Sequence, residues 1–154
     1  MANYVTSLKK GDEAPDFSGK DQDGKLISLK DFKGKKLVIY FYPKDDTPGC
    51  TAQACNIRDN YAVLKKNGYA IIGISADDEK KHKKFIEKYN LPFQLIADID
   101  KTIIRSYDVW GEKKFMGKIY EGIARSTFLI DEKGVIEKVI SDVITKNHAE
   151  QILN

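Results

Sequence analysis

At 154 residues the chain is read as one domain, 1–154, long enough to bury a real core. With 42% hydrophobic and 32% charged residues it is neither a disordered chain nor a bilayer protein, and no apolar run nears the ~20 residues of a spanning helix. The net charge is only +3, and the densest basic cluster (Lys80, Lys81, Lys83, Lys84) is flanked by Asp77, Asp78, Glu79 and Glu87. That pattern reads as a solvated helix face, so neither nucleic acid nor membrane is expected as a partner. The first ten residues lack the apolar stretch of a leader peptide, so the expected location is cytoplasmic. There a close pair of cysteines is more often catalytic, redox-active or metal-binding than structural.

In chain order, Asp23-Gly24 between Phe17 and Leu26-Ile27 predicts a small N-terminal hairpin. Continuous apolar runs at 37–42, 69–74, 93–97 and 127–130 predict strands covered on both faces. Between the first two, Cys50, Ala54, Ile57, Tyr61 and Leu64 place one apolar face on a helix over 50–66, stopped by Asn67-Gly68. A second helix is expected over 78–89, ended by Asn90-Leu91-Pro92, and a short one near 100–107. Asp131-Glu132-Lys133-Gly134 turns the chain into a last strand over 135–140, before a terminal helix from about Lys146. Strands alternating with helices and closed by a hairpin give the α/β class, a central mixed sheet flanked by helices.

The chemistry gathers at Cys50. The run Tyr40-Phe41-Tyr42-Pro43-Lys44-Asp45-Asp46-Thr47-Pro48-Gly49-Cys50 reads as buried strand, short loop and helix start. A thiol there faces unpaired backbone N–H groups and the positive end of the helix dipole, which favour the nucleophilic thiolate. One helix terminus contributes only ~0.3–1 kcal/mol, whereas each tenfold gain in thiolate takes ~1.4 kcal/mol. A permanent cation is therefore expected, and arginine suits it better than lysine because its charge survives burial and its donor fork is planar. Of Arg58, Arg105 and Arg125, the last directly precedes a buried strand and is assigned to Cys50. Thr47, three residues before Cys50, offers a hydroxyl that can orient an oxygen-containing ligand and also suits a helix cap. Cys55 lies five residues on; in a helix the two Cα atoms would stand ~8.6 Å apart, beyond the ~7 Å limit for a disulfide. The cysteines can join only if the helix unwinds.

These residues resemble a known family. Pro43-Lys44-Asp45-Asp46-Thr47-Pro48-Gly49-Cys50 matches the Pro-x-x-x-Thr-x-x-Cys signature of peroxiredoxins, and Cys50-Thr51-Ala52-Gln53-Ala54-Cys55 resembles the peroxiredoxin Q, or bacterioferritin comigratory protein, branch. The likeness runs from Gly11-Asp12-Glu13-Ala14-Pro15-Asp16-Phe17 to the terminal helix, through the stretches 109–118 and 125–131. It implies a thioredoxin-like three-layer sandwich with an N-terminal hairpin extension and an antioxidant thiol peroxidase of the atypical two-cysteine type. Cys50 would attack a hydroperoxide, hydrogen peroxide or organic, and become a sulfenic acid. Cys55 would resolve it as an intramolecular disulfide, which thioredoxin or a similar dithiol reduces. Thr47 and Arg125 would hold the peroxide oxygens and Pro43 would shield the sulfur. No metal or organic cofactor is needed, and a monomer is expected.

Other roles compete for the same residues. A disulfide oxidoreductase of thioredoxin type would need Cys-x-x-Cys, absent here; a redox-sensing interaction module would use the same Cys50–Cys55 switch without turnover. Cys50 or Cys55 could be inert packing, and Arg125 a surface ion-pair residue. Gln53 is placed near the sulfur at an open position, where surface polarity explains it equally well. His82 and His148 are expected to be exposed and give no zinc set with the cysteines. Trp110, Phe115 and Met116 are expected to anchor a long loop on the core, with an active-site collar or a reductase docking surface as alternatives.

Overall fold

The computed structural model describes residues 4–154. The N-terminal reading bears partly on residues 1–3, which lie outside the described residues. The first hairpin forms where Asp23-Gly24 placed it. Strands β1 (Ser18–Lys20) and β2 (Leu26–Ser28) pair antiparallel. Gly24 supplies the left-handed φ of +79°, and the Asp21 carboxylate accepts the backbone N–H groups of Asp23 and Lys25, each at 2.9 Å.

Three parallel strands follow: β3 (Lys36–Phe41), β4 (Tyr69–Ser75) and β5 (Gln94–Ala97). After them come a separate antiparallel hairpin, β6 (Trp110–Phe115) and β7 (Lys118–Ile123), and two antiparallel strands of the main sheet, β8 (Ser126–Ile130) and β9 (Ile136–Ile140). The five main strands lie in the order β5-β4-β3-β8-β9, so the sheet is mixed, with β3 at its centre. β3 and β8 are the strands whose loops meet at Cys50. Each expected strand is present to within one or two residues at its ends.

The helices are α1 (Pro48–Asp59), α2 (Tyr61–Lys66), α3 (Glu79–Tyr89), α4 (Thr102–Ser106) and α5 (His148–Leu153). The helix expected over 50–66 is two helices, parted at Asn60. Its side chain donates to the carbonyl of Asn56 at 2.8 Å and competes with the backbone there. α3 is capped as its sequence requires: the Asp78 carboxylate accepts the Lys81 N–H at 2.8 Å, and Asn90 takes the left-handed φ of +52°.

The pleat of β3 sends alternate residues to two cores. Leu37, Ile39 and Phe41 join Ile72, Ile74, Ile104, Tyr107, Phe128 and Ile136 on one face. Val38, Tyr40 and Tyr42 join Cys50, Ala54 and Ile57 of α1, Leu64 of α2, Phe85 of α3 and Ile152 of α5 on the other. Helices and the N-terminal hairpin thus sandwich the sheet, as the resemblance implies.

The β6–β7 hairpin departs from expectation. Met116 (φ +52°) and Gly117 (φ +79°) make a two-residue turn with both φ positive, and the strands pair from Trp110–Ile123 to Phe115–Lys118. Trp110 does anchor this segment: it packs on the core, and its indole N–H donates to Glu121 at 3.1 Å. Phe115 and Met116 do not, being 64% and 86% exposed at the tip. A hairpin satisfies its own backbone groups and needs no such anchor.

Candidate active site

β3 ends at Phe41, and the chain passes through Tyr42, then Pro43 to Thr47, before α1 begins at Pro48. Pro48 occupies the first helical position, where its missing N–H costs nothing. Cys50 follows in the first turn, 1% exposed, with a free thiol. Thr47 is the cap residue by position only. Its hydroxyl donates to the carbonyl of Lys44 at 2.9 Å and makes no cap bond, which leaves the oxygen's lone pairs available. Pro43 is half-buried at the head of the loop.

Arg125 arrives from the other side, in the connection from β7 to β8. Its Nη2 donates to Cys50 Sγ at 3.4 Å and its Nη1 to Gln53 Oε1 at 2.6 Å. One guanidinium thus faces the sulfur while an amide fixes its orientation, the two-pronged geometry a lysine cannot provide. Gly49 makes the approach possible, since a Cβ there would lie 3.2 Å from Nη2. The structure brings the expected cation, Arg125, and Cys50 together. Gln53 corrects an expectation: it is fully buried, not at an open position. A guanidinium only donates, so Gln53 must present its oxygen, and its amide nitrogen has no hydrogen-bond partner among the described residues. The sequence signal for this role was Gln53's place one turn after Cys50, on the same side of α1.

A second buried polar atom shares this region. The hydroxyl of Tyr40 has no hydrogen-bond partner among the described residues, although its ring stacks on Tyr42 at 5.3 Å and meets Phe93 edge-on at 6.0 Å. Burial, and then the neighbouring Cys50, hold its pKa well above the usual phenol value, so it is a neutral donor. Lys113 Nζ donates to the carbonyl of Ile123 at 2.8 Å. Its pKa is lowered, by burial first and by Arg125 second. Cys55 is half-buried in α1 with a free thiol. Both cysteines sit in one continuous helix, as their spacing predicts, and nothing brings the sulfurs together while α1 is intact.

The two histidines also correct their expectation, for both are fully buried. His82 lies between Asp45 and the carbonyl of Ile96, and His148 between Thr127 (2.7 Å) and Gln151 (2.8 Å). Each ring has partners at both nitrogens, which is what makes burial affordable. Asp45, Asp77 and His82 converge closely enough to suggest a metal set. The same atoms also hydrogen-bond within the protein: Asp77 Oδ2 accepts the N–H of Asp45 and the hydroxyl of Ser75, both at 2.8 Å.

A thiol at a strand-to-helix turn, with an arginine against it and a threonine three residues before it, fits the peroxiredoxin pattern. Residues 10–139 match the model of the AhpC/TSA family. The chain belongs to that family. Within it the chain falls in the peroxiredoxin Q/Bcp branch. It is 52% identical over 150 residues to peroxiredoxin Bcp of Escherichia coli, covering 97% of this chain and 96% of that one. Against peroxiredoxin Bcp of Bacillus subtilis it is 46% identical over 147 residues, 96% and 94% of the two chains. Among solved structures, peroxiredoxin Q of Xanthomonas campestris superposes with a TM-score of 0.83 at 36% identity, covering 89% and 87%. A PrxQ cysteine-to-serine variant from Xylella fastidiosa gives 0.89 at 30% identity, covering 97% and 96%. The fold is that of the thioredoxin-like peroxiredoxins. Membership makes the chain a thiol peroxidase, taking a peroxide as substrate and a thiol as reductant. Among the described residues no helix is long and apolar enough to cross a membrane.

Proposed function

We propose that the chain reduces hydrogen peroxide and organic hydroperoxides through Cys50, resolves the product through Cys55, and is recycled by thioredoxin or a similar dithiol. The observation that carries this reading is the Arg125 guanidinium, 3.4 Å from Cys50 Sγ and locked by Gln53. In the first step the thiolate attacks the outer peroxide oxygen. The S–O bond forms as the O–O bond breaks, and the departing alkoxide or hydroxide takes a proton and leaves as alcohol or water. Arg125 stands where negative charge moves along that bond, and a preorganised donor there lowers the barrier more than a solvated one. Thr47 supplies a hydroxyl oxygen to the same ligand, and Pro43 covers the sulfur.

In the second step the Cys55 thiolate attacks the sulfenic sulfur, an S–S bond forms, and hydroxide leaves as water. Both cysteines stand in α1, so its first turns must open before this bond can close. A dithiol then exchanges through a mixed disulfide and returns two electrons and two protons. This chemistry uses side chains alone, and we infer a cytoplasmic monomer that engages neither nucleic acid nor membrane.

The test is to mix the reduced protein with hydrogen peroxide, follow Trp110 fluorescence by stopped flow, and read the product by mass. Rapid loss of two hydrogens with a Cys50–Cys55 linkage is expected. A stable sulfenic acid, or an adduct with external thiol, would remove Cys55 from the cycle. No oxidation of Cys50 within seconds would sink the peroxidase reading of this site.

A further inference from the structure

The loop that carries Thr47 and leads into Cys50 has fastenings that the reaction above does not use, and they lead to α3 and the turn before it. The Asp45 carboxylate accepts the Tyr42 hydroxyl at 2.5 Å and faces His82 Nδ1 at 2.6 Å. On the far side of the ring, His82 Nε2 lies 2.9 Å from the carbonyl oxygen of Ile96 in β5. A carbonyl only accepts, so Nε2 is the donor on that side, and Nδ1 is the nitrogen that faces the Asp45 carboxylate. The backbone N–H of Asp45 is held by Asp77 at 2.8 Å. Asp46, at the left-handed φ of +59°, accepts from Lys88 Nζ and the Tyr89 hydroxyl of α3, both at 2.8 Å.

Packing alone does not require this arrangement. His82 is fully buried and Asp45 nearly so, and taking such a pair out of water costs more than an apolar pair of the same volume would. What the pair adds is fixed geometry. With both nitrogens held, the imidazole has one orientation, so the distance from β5 to Asp45 is set through the ring. Arg125 reaches the sulfur from the β7–β8 connection, and its hydrogen bonds among the described residues go to Cys50 and Gln53, outside this network. The substrate site therefore has two halves with separate supports: Arg125 on one, Thr47 and the turn holding Cys50 on the other.

We propose that His82 is a positioning residue for the peroxidase reaction: through Asp45 it holds the 43–49 loop at the distance from Arg125 that peroxide attack requires. This rests on the peroxidase reading of Cys50. In-line attack needs sulfur, both peroxide oxygens and their donors in register, and a shift of ~1 Å costs ~10²-fold in such a site. Alkylation of the same sulfur needs only an accessible thiolate, so the two reactions separate register from reactivity.

The experiment measures both on reduced full-length protein: the rate constant with hydrogen peroxide, and the rate of carbamidomethylation of Cys50 by iodoacetamide, resolved from Cys55 by peptide mass. His82→Leu is expected to slow peroxide attack ~10–100-fold, while alkylation of Cys50 stays within about a factor of two. His82→Gln retains a donor for Asp45 and is expected to recover part of the loss. If His82→Leu does not fold, His82→Gln carries the comparison as a smaller drop in the same ratio. Wild-type peroxide kinetics in a folded His82 variant would overturn the proposal, as would both rates falling by the same factor. A wild-type protein that hydrogen peroxide leaves unoxidised would overturn the peroxidase reading itself, and the wild-type measurement alone decides that.

Discussion

The two faces of the central sheet treat their buried polar groups differently. One packs aliphatic and aromatic side chains around polar groups that are bonded: the Tyr107 hydroxyl donates to the carbonyl of Pro15 at 2.7 Å, and the buried Asp98 carboxylate accepts the N–H groups of Ile103 and Ile104. The other holds Cys50, Gln53, Tyr40, Thr127, His82 and His148 among its apolar residues, all of them buried. Both buried polar atoms that lack a partner among the described residues lie on that second face, against α1. Stability is thus kept chiefly on one face of the sheet and chemistry on the other. On the proposed mechanism, the first face would hold the molecule together while α1, on the second, opens to let Cys55 reach Cys50.

The comparison breaks most sharply at the sulfur. Cys50→Ser should abolish peroxide turnover and leave the thermal midpoint near that of the wild type, because serine nearly matches the volume. A serine variant that still consumes peroxide would move the chemistry elsewhere. On the opposite face, Phe128 is fully buried between Phe41 and Tyr107, with ring centroids 5.8 and 5.2 Å away. Phe128→Ala should cost ~3–5 kcal/mol of stability. The rate of Cys50 with peroxide, measured on the folded protein, should hold; a fall in that rate would show that the two faces are not separable.

Arg125→Lys keeps the charge and loses the fork. Without two parallel donors, the lysine cannot hold Gln53 and face the sulfur together, and the loss of one such donor is worth ~10²-fold in rate. Stopped-flow peroxide kinetics check this, and near-wild-type rates would remove Arg125 from the site. Tyr40→Phe tests the second face from the other direction. It deletes a hydroxyl with no partner among the described residues and keeps the ring against Tyr42 and Phe93, so it should raise stability, by up to ~1 kcal/mol. On the proposed mechanism α1 must unwind for Cys55 to reach Cys50, so a variant that stabilises the packed face should form that disulfide more slowly and accumulate more sulfinic acid at high peroxide. A lower midpoint would show that the hydroxyl is satisfied in solution.

Much of this was legible in the sequence because it is local. Apolar runs fix β3, β4, β5 and β8, and the Asp23-Gly24 turn fixes the first hairpin, since neighbouring residues suffice for both. The approach of Arg125 to Cys50 was inferable from chemistry: a reactive thiolate needs a cation, and few arginines were available. What escaped depends on partners distant in sequence. His82 meets Ile96 and Asp45 only once α3 is laid beside β5 and the loop, and nothing near residue 82 announces that. Gln53 looked like surface because polarity alone does not reveal a guanidinium 72 positions away. The β6–β7 turn escaped for a different reason: Met116 stands at a positive φ where asparagine or glycine is the usual signal.

The smallest effect should be a slope rather than a loss, and it belongs to the second face as well. His148 has its pKa lowered chiefly by burial, against a raising contribution from the Gln151 hydrogen bond, and Arg125 pushes it further down. Its folded form therefore prefers the neutral ring, while the unfolded chain takes up a proton below its ordinary value of 6.5. The unfolded state binds more protons in that window, so stability rises with pH through it and is lost as pH falls. His148 closes α5 onto Thr127 of β8, two residues from Arg125, so protonation should loosen α5 before the first face responds. Urea midpoints of wild type and His148→Gln between pH 5 and 8 test this, with the variant expected to lose the acid-side decline. Equal slopes in the two proteins would place the acid sensitivity on another group and leave His148 a packing residue.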